Sequence, residues 1–435
     1  MVTEASASLF TGARTAAGGR RPTAAMLARE LQRGPTLNED TAGKIQLDAI
    51  GHEARDLFGA APAAILRLTH SRVTRGVWRV TAGSGSTAVV KVLVPPAPGD
   101  SVAAWPASMR YWLREARLYA AGIPGPYRVA GVRGPELLGH FDRPDGDVAL
   151  WLEDVPGVPA AEWDLPAFAR AARRLGRAQG AYLAGAALPA DEWLSRGFLR
   201  QYLAARRPQD DALLASDAAW RRPVIARHFS ADLRDGLRRL RADRARLLGW
   251  LESAPRTFAH LDVWPDNLFD HGGRGNGDDG GRDELILIDW GFAGIGGAGE
   301  DAGNLVPDSV FDLRHPPAIL RDLDRTVSDA YLGGLRDAGW SGDERIVRLG
   351  MCASACKYDW IAGAALARAA GGEGLSGGEG ASGGADGPTE PASQPIYGDV
   401  EIESERFFGA RAAVLGLLVE WAAEARALAV ALGLD

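Results

Sequence analysis

The segment Glu284-Leu285-Ile286-Leu287-Ile288-Asp289-Trp290-Gly291 constrains this chain most. Residues 285–288 are aliphatic without alternation. A strand built from them is apolar on both faces and must be covered on both. It ends on a carboxylate, Asp289. Just upstream, residues 258–269 read FAHLDVWPDNLF. That stretch is also mostly apolar, yet it carries His260, Asp262, Asp266 and Asn267. Polar groups in an apolar setting are costly unless they are partnered or used.

The spacing suggests a use. His260 is followed two residues on by Asp262, and five further on by Asn267. A Mg²⁺ ion that already carries phosphate oxygens and waters needs only one or two protein oxygens. Asn267 and Asp289 meet that demand. Asp262, on the same loop, is placed to orient or deprotonate an acceptor hydroxyl. His260 then holds the loop by hydrogen bonds, and Asp301, in GGAGEDAGNL, supports it from behind.

The first third of the chain supplies the other half. GVWRVTA alternates, GSGS turns, and TAVVKVLV runs on to Pro95-Pro96, which ends it. Lys91 stands alone in that apolar run, and Glu115, in the next helical pattern, is its natural partner. Together they are placed to reach the α- and β-phosphates of a nucleotide. DVALWLEDVPG reads as a further strand. From about residue 160 the pattern turns helical, in LPAFARAARRLGRAQGAYLAG and in SADLRDGLRRLRADRARLLGWLES, where Ser230 is the N-cap. WPASMRYWLREARLYAAGI also reads as one helix.

The set H-x-D-x-x-x-x-N, then D-W-G, with an upstream strand lysine and a helix glutamate, resembles the aminoglycoside phosphotransferase and choline kinase-like enzymes. The resemblance spans roughly residues 66 to 369. It implies an α+β, two-lobed protein kinase-like fold, with a small β-rich N-lobe and a larger helical C-lobe. It implies Asp262 as catalytic base, Asn267 and Asp289 as Mg²⁺ ligands, and Lys91 with Glu115 as the lobe ion pair. WLEDV, with Glu153 and Val155, becomes the hinge whose backbone reads adenine. His260 and Asp301 become structural support of the catalytic loop. Three features depart from the family's pattern. No G-x-G-x-x-G precedes Lys91, where THSRVTRGVWRV has only Gly76. Leu261 follows His260. A Gly/Asp-rich insert lengthens the gap between Asn267 and Asp289.

The expected organisation is a disordered tail 1–22 and an N-terminal helical extension 23–65. A β-rich nucleotide-binding N-lobe 66–152 and a helical catalytic C-lobe 153–369 come next, the latter with a Gly-rich hairpin insert at 270–284. A flexible Gly-rich linker 370–396 leads to a C-terminal helix, 397–435, packing on the C-lobe. The expected activity is ATP- and Mg²⁺-dependent transfer of a γ-phosphoryl group to a hydroxyl of a sugar, amino sugar, aminoglycoside or amino alcohol. The alternative is a pseudokinase-type nucleotide-binding or scaffold module without transfer. The intact set of five polar residues speaks against it.

Taken singly, each residue has a plainer reading. Asp262 and Asn267 are common turn residues, Lys91 can snorkel from an edge, Glu115 can pair with Arg114 or Arg117, and Asp289 can cap the next element. Trp264 and Trp290 read as core. Glu300, Asp308, Asp359 and Trp360 lie where an acceptor would bind, but for each a surface or packing role is preferred. Composition narrows the partners. A formal net charge of -7 and a pI of about 5.6 argue against nucleic acid. The N-terminus has no apolar core of a signal peptide. AVLGLLVEWAAEA is interrupted by Glu420 and Glu424, short of the roughly 18 apolar residues of a span. Cys352 and Cys356 read as buried apolar groups in a reducing, cytoplasmic setting. The expected partner is a small-molecule acceptor, with no membrane involved; no sequence feature indicates an oligomeric state.

Overall fold

The computed structural model describes residues 41–69, 74–97, 99–205, 209–272, 283–311, 313–370 and 400–434. The expected tail 1–22, residues 23–40 of the expected helical extension, most of the Gly-rich insert and nearly all of the linker lie outside the described residues. The described chain divides into two compact units. One comprises residues up to Val94 together with Glu136–Asp154; the other comprises Pro95–Pro135 and the chain from Val155 on.

The smaller unit is a helix on a sheet. Helix α1, Thr41–Phe58, precedes strands β1 (Pro62–Thr69), β2 (Thr74–Ala82), β3 (Thr87–Leu93), β4 (Leu137–Asp142) and β5 (Val148–Glu153). They form one antiparallel sheet in the order β1-β2-β3-β5-β4. Alternation sends Trp78, Val80, Val90, Val92 and Trp151 to one face, where Ile50 and Ala54 of α1 cover them. Lys91 is one residue out of phase with Val90 and Val92, so it belongs to the opposite face. Its strand neighbours are Val77 and Leu150. The covered face holds one ion pair. Glu53 of α1 accepts from Arg143 Nε at 2.7 Å, from Arg143 Nη2 at 3.0 Å and from Trp151 Nε1 at 2.8 Å.

The larger unit is mostly helical. Its main helices are α2 (Arg114–Ala121), α3 (Leu165–Leu183), α4 (Ala231–Ala242), α5 (Arg244–Ser253), α6 (Glu300–Phe311), α7 (Leu320–Asp337), α8 (Glu344–Ala353), α9 (Trp360–Arg368) and α10 (Val400–Ala431). Helices α3 and α7 lie in backbone contact. A Cβ on Gly176 would sit 2.2 Å from Tyr331 O, and one on Gly334 would sit 2.1 Å from Arg173 O. Helix α10 joins α7 and α8 through Arg348, which donates to Asp324 at 2.7 and 3.0 Å and to Glu424 at 2.8 Å from both Nε and Nη2.

Four short strands position the polar loop. Strands β6 (Arg256–Ala259) and β9 (Gly294–Gly297) pair antiparallel. Strands β7 (Leu268–His271) and β8 (Glu284–Leu287) pair antiparallel from Leu268↔Leu287 to His271↔Glu284, at the two ends of the Gly-rich insert. As the aliphatic run demands, Leu285, Ile286 and Leu287 are wholly buried.

Two helical readings change. The pattern over residues 105–123 is helical only in α2. The carbonyls of Pro106, Ser108 and Met109, which a helix would need as acceptors, are instead taken by the Arg114 guanidinium. The run from Ser230 to Ser253 is divided at Asp243, a single turn residue (φ -83°, ψ -1°) between α4 and α5 whose carboxylate accepts from Arg426 of α10 at 2.7 Å. The Ser230 cap stands, with its hydroxyl accepting the Leu233 amide. No helix among the described residues is long and apolar enough to cross a membrane.

Candidate active site

Strand β6 carries Thr257, Phe258 and Ala259 through the interior and delivers His260, Leu261 and Asp262 to a tight turn. Leu261 has φ 67°, a left-handed backbone that a non-glycine residue keeps only when its surroundings impose it. Asp301, in the first turn of α6 and wholly buried, imposes it. Its carboxylate accepts the His260 amide at 2.9 Å and the Leu261 amide at 2.8 Å. Asn304, one turn on, donates to Leu261 O at 3.3 Å. Asp301 also accepts Gln179 Nε2 of α3 at 2.7 Å. Burial pushes its carboxyl pKa up, and His260 with the three N–H donors pulls the other way.

His260 is wholly buried. Its Nε2 donates to Ile288 O at 3.0 Å, and its Nδ1 accepts the Asp262 amide at 3.3 Å. Burial holds its pKa below the ordinary value, against the pull of Asp301, Asp262 and Asp289, so near neutral pH the ring carries no charge. The imidazole thus ties the loop to the end of the β8 run.

Asn267 closes the loop. Its Nδ2 donates to Asp262 O at 3.0 Å and to Asp262 Oδ2 at 3.2 Å. With the amide nitrogen committed, the amide oxygen is the end that faces away as an acceptor. The Asn267 carbonyl accepts the Ile288 amide at 3.0 Å, which joins the loop to the residue before Asp289. Asp289 is half-buried and holds a left-handed backbone, φ 59° and ψ 67°. After it, the Trp290 amide donates to Glu115 Oε1 at 3.3 Å, and Trp290 Nε1 donates to Leu287 O at 2.7 Å. Asp262, Asn267, Asp289, His260, Asp301 and Glu115 therefore lie in one hydrogen-bonded neighbourhood of the larger unit.

The remaining expected residues divide between units. Lys91 on β3 and Glu153 at the end of β5 belong to the smaller unit, and Val155 to the larger. The Glu153 amide donates to Glu136 O at 2.9 Å, and its side chain accepts the Glu136 amide at 3.1 Å.

Of the acceptor-side candidates, Glu300 turns inward to accept the Gly297 amide at 2.9 Å, and Asp359 is buried against Arg241 at 2.6 Å. Asp308 accepts Tyr358 OH at 2.8 Å; burial lifts its pKa to about 6, with Lys357 and Tyr358 opposing and the Asp262 charge adding to the rise.

Sequence reasoning missed the residues behind the loop. Tyr127 OH donates to Phe258 O at 2.9 Å and accepts Gln179 Nε2 at 3.1 Å, while Tyr331 OH donates to Gln179 Oε1. Nothing local in α3, α7 or the Tyr127 segment marks them, because each acts across a long sequence separation. The sequence offers Arg114 only as one possible partner for Glu115; its hydrogen bonds go to main-chain carbonyls, and its guanidinium lies over the Tyr111 ring.

Among the described residues no group of three or more His, Cys, Asp or Glu side chains is arranged to hold a metal ion. A family model described as the phosphotransferase enzyme family matches residues 66–340. No curated protein matches the chain. Among solved structures the chain is similar to an amicoumacin kinase in complex with AMP-PNP and Ca²⁺, at 14% identity over 74% of this chain and 86% of that one, with a TM-score of 0.46. It is similar to a choline kinase from Cryptosporidium parvum, at 11% identity over 89% and 97%, with a TM-score of 0.45. An aminoglycoside phosphotransferase from Streptomyces rimosus is similar at 18% identity over 72% and 98%, with a TM-score of 0.40.

Proposed function

The chain belongs to the phosphotransferase enzyme family, and from that premise we propose that it transfers the γ-phosphoryl group of ATP, with Mg²⁺, to a hydroxyl of a sugar, amino sugar, aminoglycoside or amino alcohol. One observation carries the reading: Asn267 donates its amide nitrogen to Asp262. That bond fixes the carboxylate that would face an acceptor and turns the amide oxygen outward as a ligand.

The donor set fits a hard divalent ion that keeps waters and phosphate oxygens. Asn267 Oδ1 and the Asp289 carboxylate are two oxygens of the right kind. Mg²⁺, when bound there, supplies charge neutralisation on the phosphoryl oxygens. Lys91 serves the α- and β-phosphates, and the main chain at Glu153 and Val155 serves adenine. Asp262 accepts the proton of the acceptor hydroxyl as its oxygen bonds to phosphorus and the bond to the ADP oxygen breaks. His260, uncharged and wedged between the loop and Ile288, adds no positive charge that would weaken Asp262 as a base. Asp308 is assigned to the acceptor side, where its carboxylate suits an ammonium group. The two cysteines are free, buried thiols, which suits the proposed cytoplasmic setting.

The test is ADP release from Mg²⁺-ATP with a panel of amino sugars and amino alcohols. Asp289→Ala is expected to lower turnover by about three orders of magnitude, the scale of losing one well-placed electrostatic stabiliser. Asp262→Asn is expected to cut turnover by about a hundredfold or more while nucleotide affinity stays close to wild type. Undiminished turnover in Asp289→Ala overturns the mechanism. Mg²⁺-ATP binding without ADP release for any hydroxyl compound would make the chain a nucleotide-binding module instead.

A further inference from the structure

Arg114 is wholly buried and faces no carboxylate among its hydrogen-bond partners. Its guanidinium has five N–H donors, and all are spent on main-chain carbonyls. Nε donates to Trp193 O at 2.9 Å. Nη1 donates to Met109 O at 3.1 Å and Gly291 O at 2.8 Å. Nη2 donates to Pro106 O at 3.1 Å and to Ser108 O.

A buried guanidinium is expensive, and burial lowers the Arg114 pKa to about 10, which still leaves it charged near neutral pH. The sequence neighbour Glu115 acts one residue away on the same target. Glu115 accepts the Trp290 amide, and Arg114 donates to the Gly291 carbonyl. Two consecutive side chains in the first turn of α2 therefore hold two consecutive residues after Asp289. The held segment is the one that needs holding, because Asp289 is a non-glycine residue in a left-handed conformation, φ 59°.

We propose that Arg114 is a positioning residue of the phosphotransfer site, which with Glu115 clamps the Trp290-Gly291 turn and so fixes where the Asp289 carboxylate meets the divalent ion. The planar, five-donor fork is what the task requires. A lysine in its place offers three donors from a single point and cannot span Trp193, the 106–109 segment and Gly291 at once. The inference rests on Asp289 being an ion ligand, as proposed above.

The test reads ion binding apart from turnover. ADP binding to the full-length protein is followed by calorimetry at low temperature across a Mg²⁺ series, for wild type, Arg114→Lys and Asp289→Asn. Removing an outer contact that orients a metal ligand typically costs about 10- to 100-fold in metal affinity. For Arg114→Lys, the Mg²⁺ concentration at half-effect is expected to rise by about tenfold or more. ADP affinity without Mg²⁺ is expected to stay as in wild type. A purely structural role for Arg114 would lower the melting temperature and leave that midpoint in place, and this result overturns the proposal. Should Arg114→Lys not fold, the same titration is made with Phe292 replaced by its α-hydroxy acid. That change weakens the Gly291 carbonyl as an acceptor and leaves Arg114 whole; an unmoved midpoint there also overturns the proposal. If Asp289→Asn itself keeps the wild-type midpoint, Asp289 is not an ion ligand, and both assignments fail together.

Discussion

Asp308 is the side chain whose charge is most open to adjustment near this site. Burial lifts its pKa to about 6. It is therefore protonated at pH 5 and carries its charge at pH 7. For a cationic acceptor the expected KM falls as pH rises through about 6, by about tenfold, the worth of one hydrogen bond to a charged group. In Asp308→Asn the same profile should be level. Steady-state kinetics with an amino sugar between pH 5 and 7.5 decides it, and an unchanged slope in the variant removes Asp308 from the acceptor side. At this scale the sequence was readable where chemistry is written in contiguous spacing. Asp262, Asn267 and Asp289 stand close along the chain, and their apolar surroundings expose them as costly groups kept for a reason. Gln179 and Tyr331 look like ordinary members of amphipathic helices. Their role depends on a helix crossing that no local pattern encodes. Arg114 sits in a run of arginines and aromatics that favours a longer helix, and only its contacts explain why the helix starts late.

Elements were legible to the degree that burial imposes a period on them. Strands β2, β3 and β5 alternate or run apolar as read, and α3 has the expected extent. β1 opens with Pro-Ala-Ala, weak strand formers, and carries no alternation that would announce it. In α1 the helical spacing was visible, but its use was not. Glu53 sits among buried residues because Arg143 and Trp151 receive it. Glu53→Gln leaves Arg143 charged and buried, and breaking such a pair from one side costs about 3–5 kcal/mol. Urea unfolding of the full-length chain, followed by tryptophan fluorescence and compared with wild type, should show a loss on that scale. A loss below about 1 kcal/mol would mean that water already reaches the pair.

On the scale of the whole molecule, α10 is the last described element and one of the most connected. It buries Phe408, Leu415, Leu418 and Trp421, supplies Glu424 to Arg348, and gives Arg426 to Asp243 at the break between α4 and α5. A chain ending after residue 370 would lack α10, uncover the apolar surface that those side chains cover, and leave Arg348 with Asp324 alone. It should be recovered mainly in the insoluble fraction, whereas one ending after residue 434 should be soluble. A monodisperse, cooperatively melting product ending at residue 370 would show that α10 is dispensable.

The contact between α3 and α7 has a consequence for sequence drift. Gly176 and Gly334 leave no clearance for even a methyl group, and Gln179 and Tyr331 sit beside them on the same two helices. The chain's descendants can exchange surface residues or acceptor-facing side chains one at a time. At these two glycines any single change moves one helix away from the other, and with it the hydrogen bond that Gln179 brings to Asp301. The pair works as a datum from which the catalytic loop is measured, fixed by the absence of side chains rather than by any contact they make.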